Sequence, residues 1–165
     1  MQYHSGDKYA TPATESKATE YNVRGFPSMY FNGGNLVMGG TDSSYAQQRV
    51  VIERELAKPP AVAIVSTMKT GGGITVTATV TNISAAAVTN AKFYVVLFED
   101  LGFDEHYYTV RDIPAPVSAV NLAPGESRQF NISSAYSGTA TTIKAVVYLK
   151  ASNGEILQAT LSAKS

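Results

Sequence analysis

The chain has 165 residues, of which 44% are hydrophobic and 16% charged, with thirteen basic and thirteen acidic side chains that cancel at pH 7. This balance gives no electrostatic grip on nucleic acid or anionic lipid, and a charged fraction below the usual ~25% fits a β-rich extracellular type of chain. With no cysteine, disulfides, thiolate catalysis and thiolate metal sites are excluded, and no apolar run reaches the ~18 residues of a membrane span.

The opening MQYHSGDKY carries neither the basic nor the apolar stretch of a signal peptide. Thr11-Pro12 followed by Glu15 reads as a helix start, with a capping hydroxyl, a proline at the first position and an acid in the first turn. The helix should run to about Tyr21, with Val23 and Arg24 leading out. Ser28 to Phe31 is expected as a short strand, Asn32-Gly33 as a hairpin turn and Leu36 to Met38 as the return strand. Asp42 to Ser44 offers capping side chains for a second helix, Tyr45 to Ala57, with Tyr45, Ile52 and Leu56 on one face. Pro59-Pro60 ends it.

This run, centred on YNVRGFPSMYFNGGNLVMGG from Tyr21 to Gly40, resembles the C-terminal half of a thioredoxin-like domain over about fifty residues. The resemblance implies a cis peptide bond at Phe26-Pro27 and a substrate-binding ledge formed by Phe26 and Pro27. The half that would carry a Cys-x-x-Cys is missing, so a retained structural turn is the blander expectation for Pro27. Met1 opens on what resembles the middle of a fold, and a truncated start is expected.

From Ala61 the rhythm changes to period two. Ile74 to Thr81, ITVTATVT, alternates without a fault, as a half-buried antiparallel strand does. Further strands are expected at Val62 to Val65, Ala91 to Glu99, Tyr107 to Val110, Ser127 to Ile132, Thr142 to Lys150 and Ile156 to Leu161. Gly71-Gly72-Gly73, Ala123-Pro124-Gly125 and Ser152-Asn153-Gly154 punctuate them. The fold expected is therefore α+β in residues 1–58, a half-thioredoxin segment of helix, β-hairpin and helix. Residues 59–165 should follow as an all-β immunoglobulin-like sandwich of about seven strands. That second part resembles the bacterial appended kind, with its LAPGES turn at Leu122 to Ser127. The combination implies a bacterial cell-envelope or secreted protein.

Candidate chemistry is sparse. His4 and His106, the two histidines, fall in different parts and read as surface imidazoles. Glu99, Asp100, Asp104 and Glu105 crowd one turn and could offer oxygens to calcium, though without the alternating acids of an EF-hand loop. Gly33-Gly34 and Gly39-Gly40 read as turns and not as a phosphate loop. Asn82-Ile83-Ser84 and Asn131-Ile132-Ser133 match the glycosylation pattern. No cofactor is expected.

The sharpest binding candidate is a surface. In Ala91 to Glu99, the residues Tyr94, Val96 and Phe98 form a second apolar face, opposite Phe93, Val95 and Leu97. As neighbours in one sheet, this strand and Thr142 to Lys150 would gather Tyr94, Val96, Phe98, Val146 and Tyr148 into an outward aromatic patch. Such a patch marks a protein partner or is covered by the N-terminal segment. The expected function is a non-catalytic binding or scaffold module with no enzymatic activity of its own. The alternatives are a C-terminal fragment of a thiol-disulfide oxidoreductase and a carbohydrate-binding module. The hairpin edge predicts a homo-oligomer through the N-terminal segment.

Overall fold

The computed structural model describes residues 1–102, 106–138 and 142–165. It is mostly β, with two helices and three sheets. Helix α1 (Pro12–Glu20) starts on a capping box in which Thr11 and Thr14 exchange side-chain and backbone hydrogen bonds. Strands β1 (Ser28–Phe31) and β2 (Asn35–Met38) form an antiparallel hairpin that, among the described residues, pairs with no further strand. Helix α2 (Asp42–Leu56) has Thr41 as its N-cap, with Ser44 closing the box. It therefore begins three residues before the Tyr45 expected, because Asp42 and Ser43 are helical themselves.

The second part holds β3 (Val62–Thr70), β4 (Ile74–Asn82), β5 (Val88–Glu99), β6 (Thr109–Asp112), β7 (Val117–Leu122), β8 (Ser127–Ser134), β9 (Ile143–Lys150), β10 (Ile156–Leu161) and β11 (Ala163–Lys164). One sheet runs β10-β9-β5-β6, with β7 also on β5, and the other runs β11-β3-β4-β8. The long strand β5 accepts β7 along its first half and β6 at its end, while β9 lines its other side from Lys92↔Lys150 to Glu99↔Ile143. The neighbour relation expected for these two strands is present. Strands β7 and β11 were not expected. Their number raises the sandwich above the seven strands anticipated.

The inward residues of the two sheets share one core, in which Val76, Val80, Phe93, Leu97, Phe130 and Leu149 take part. Every residue of that cluster comes from the second part. In residues 1–58 the single buried hydrophobic side chain is Val37. The N-terminal segment therefore has almost no core of its own, and it holds its place largely by what it touches on the sandwich.

Three joints make that contact. Gln2 bridges alongside Thr109, its N–H donating to Tyr108 O (2.8 Å) and its carbonyl accepting from Val110 N (2.9 Å). Glu20, at the end of α1, accepts from Lys150 Nζ at 2.8 Å. At the third joint Lys58 Nζ lies 2.6 Å from Glu55 and 2.9 Å from Glu155. Nearby, Ile156 N donates to Asn32 O at 3.3 Å. Gly33, at φ +82°, is in the left-handed region and packs so closely that a Cβ there would collide with the Gly154 carbonyl.

Candidate functional site

Alternation along β5 and β9 puts Tyr94, Val96, Phe98 and Tyr148 on the outer face of the sheet, as the sequence predicts. The face is not open. Tyr94 is 7% exposed, Val96 0%, Phe98 4% and Tyr148 5%, while Val146 is half-buried at its margin. Of the two expectations for this face, a partner surface or a cover by the N-terminal segment, the structure shows the second: these rings form a second small core with Val110 beneath that segment. Tyr94 and Tyr148 stack with centroids 4.8 Å apart and planes 10° apart. Lys17 of α1 reaches over them, its Nζ 4.5 Å from the Tyr94 centroid. Burial pushes both phenols up from their ordinary value, so they stay protonated.

Glu20 sits between the Lys17 and Lys150 ammonium groups. Burial alone would raise its carboxyl, but the hydrogen bonds from the two lysines outweigh that and hold it below the ordinary value. Lys150 also lies 5.0 Å from the Tyr21 ring centroid, and Tyr21 packs on Tyr30 at 4.7 Å.

The Phe26-Pro27 bond is cis. Phe26 is 69% exposed, and the Pro27 carbonyl accepts from Gly39 N at 3.0 Å. Ser28 Oγ donates to Gly25 O at 2.6 Å, tying the approach to the hairpin. Around this ledge the segment displays further apolar side chains: Leu36, Met38, Tyr45, Val50, Ile52 and Leu56 are 40–79% exposed. The face Tyr45, Ile52 and Leu56 of α2 is exposed, beside the more covered face of Ser44, Gln48, Val51 and Glu55.

Glu99 and Asp100 do not converge. Glu99 is buried at the sheet end, accepting from Tyr136 Oη at 2.7 Å with Arg111 Nε 3.6 Å away. Asp100 accepts from Gly102 N. Asp104 and Glu105 lie outside the described residues. Among the described residues, no group of three or more His, Asp or Glu could hold a metal ion, and no helix is long and apolar enough to cross a membrane.

His4 and His106, expected as separate surface imidazoles, are instead half-buried and brought together. His4 and His106 stack at 5.0 Å, with Tyr9 4.7 Å from His106. His4 Nδ1 pairs with Asp7 Oδ2 at 2.7 Å, while its buried Nε2 has no hydrogen-bond partner. The hydrogen bond to His4 is the main reason the Asp7 carboxyl is held down. The contact joins residues far apart in the chain, so no local pattern announces it.

A polar cleft of about 390 Å³ lies at the third joint, lined by Asn32, Arg54, Glu55, Lys58 and Glu155 among others. Its charges are paired internally. Hydrogen bonds, first from Lys58, lower Glu55 to about 2.

No family model matches the chain, and no curated protein matches it. Several solved structures are similar in part. A domain of the outer membrane lipoprotein Omp28 from Porphyromonas gingivalis has a TM-score of 0.45 and 11% identity, covering 66% of this chain and 91% of that one. Spo0M, a sporulation control protein of Bacillus subtilis, has a TM-score of 0.43 and 13% identity, over 65% and 50%. A β-glucosidase from Listeria innocua has a TM-score of 0.39 and 16% identity, and this chain spans 16% of its length and 64% of its own. Likenesses of this size share β-rich architecture and carry no argument about activity.

Proposed function

We propose that the chain is a non-catalytic binding or scaffold module of the bacterial envelope or secreted space. In this reading residues 1–58 are a half-thioredoxin segment, and residues 59–165 an immunoglobulin-like sandwich. The supporting observation is the imbalance of the N-terminal segment. It buries one hydrophobic side chain, Val37, and leaves seven large ones 40% exposed or more, from Phe26 to Leu56. Exposed apolar side chains in this number ordinarily meet another polypeptide. The unpaired hairpin edges point the same way, because free strand edges recruit strands. A second copy is the partner proposed, since two-fold closure is the commonest way to cover such a surface.

Light scattering across a dilution series tests it. Association should appear in the micromolar range and be lost in Ile52→Asp/Leu56→Asp, two exposed positions that leave the sandwich core intact. A monomer at every concentration, with the hairpin still ordered, defeats the proposal.

The second reading, a piece of a thiol-disulfide oxidoreductase, is supported by the helix, cis-proline, hairpin and helix in series. In that case the thiols come from outside this sequence, and the chain alone reduces no insulin. The carbohydrate-binding reading rested on the outer-face rings and loses its support with their burial.

A further inference from the structure

At the open end of the covered face, Lys92 on β5 stands directly opposite Lys150 on β9. Like charges in that position repel across the strand pair. Lys17 adds a third ammonium from above, and Glu20 supplies the one carboxylate, accepting from Lys17 and Lys150. Lys92 is exposed and makes no ion pair or hydrogen bond with another described residue.

Glu20, Lys92 and Lys150 border a cleft of about 410 Å³ between the end of α1, β5 and the turn that follows β9. That volume falls in the ~300–1,000 Å³ range of small-molecule sites. Its other polar side chains, Asn90, Tyr94, Ser152 and Asn153, can each donate a hydrogen bond. The Tyr94 phenol is kept protonated by burial. Asn153 has its Oδ1 taken by Glu155 N, which leaves its Nδ2 to donate. Asn90, held at φ +50° with its N–H on Asn121 Oδ1, lies on the same rim. An array with an excess of positive charge and of N–H and O–H donors is matched by a group that only accepts.

We propose that this cleft binds a small ligand through a carboxylate or phosphate group seated between Lys92 and Lys150. The anion relieves the repulsion of the opposed lysines and takes the donors that Glu20 does not occupy.

The test is an NMR titration of the full chain at constant ionic strength in chloride, with inorganic phosphate in one arm and acetate in the other. Saturable shifts confined to amides 90–94 and 150–154, with a midpoint below about 10 mM, are expected in at least one arm. The arm that responds names the anion. Lys92→Ala, at an exposed position, should weaken binding roughly tenfold, as loss of a charge-assisted hydrogen bond does. Glu20→Gln should tighten it, because the competing carboxylate is gone. An absence of saturable shifts in both arms overturns the proposal. So does unchanged affinity in Lys92→Ala, or weaker binding in Glu20→Gln.

Discussion

Asn82, at the end of β4, is fully buried with both ends of its side-chain amide in use. Its Nδ2 donates to Ala86 O at 2.8 Å and Leu122 O at 3.0 Å, and its Oδ1 accepts from Ser84 N and Ser84 Oγ. The amide thus ties the turn after β4 to the end of β7, beside the Val88↔Leu122 pair of the β5–β7 ladder. Replacing it with alanine takes the Nδ2 donor from the enclosed Leu122 carbonyl and leaves Ala86 O with Ser84 Oγ alone, while the Ser84 donors lose their acceptor. Asn82→Ala should cost about 2–3 kcal/mol, read as a lower urea midpoint with an unchanged m-value. The same bonds bear on the two glycosylation patterns. In the folded chain the Asn82 nitrogen is engaged and enclosed, whereas Asn131 is exposed and Thr77 Oγ1 donates to its Oδ1.

Helix α2 shows what caps do when packing is thin. It buries only Ser44, and its contacts run to β2 through the Val37 side of the hairpin. Little tertiary burial supports it, so its ends matter more than usual. Thr41→Ala removes the acceptor for Ser44 N (3.3 Å) and should destabilise the helix by about 1 kcal/mol. Hydrogen exchange checks this: amides 45–56 should exchange faster while those of β4 and β5 do not change. Caps, hairpin turn and strand alternation are local rules, and the sequence showed α1, β1, β2 and β4 within a residue or two for that reason. Strand β7 was missed because Pro114 and Pro116 precede it, Ala119 has φ +54° and its pairing with β5 is irregular. The alternation in β5 and β9 likewise named the outer face correctly. It could not say what lies on that face, since Lys17 and Glu20 in a polar helix look like solvated residues until the chain returns over Tyr94.

At the scale of the molecule, the two parts depend on each other unequally. The principal core lies wholly within the sandwich, so residues 59–165 have what they need to fold alone. Residues 1–58, with Val37 as their one buried hydrophobic side chain, do not. The N-terminal segment gives the sandwich a cover: α1 spans the Tyr94–Tyr148 stack, and Gln2 is bonded beside β6. Removing it would expose Tyr94, Val96, Phe98 and Tyr148 together, a patch of several hundred Å² that soluble domains rarely leave open. We therefore expect the 59–165 fragment to keep a β-type circular dichroism spectrum and a cooperative thermal transition, at a lower Tm than the intact chain. It should also bind an apolar dye far more strongly and self-associate, and Tyr94→Lys in the fragment should reduce both. The 1–58 peptide should give the spectrum of an unfolded chain. If 59–165 is unfolded, the segment is part of the sandwich's stability and not its cover. If the fragment binds no more dye than the whole protein, the second small core contributes nothing that the sandwich cannot supply by closing over its own face.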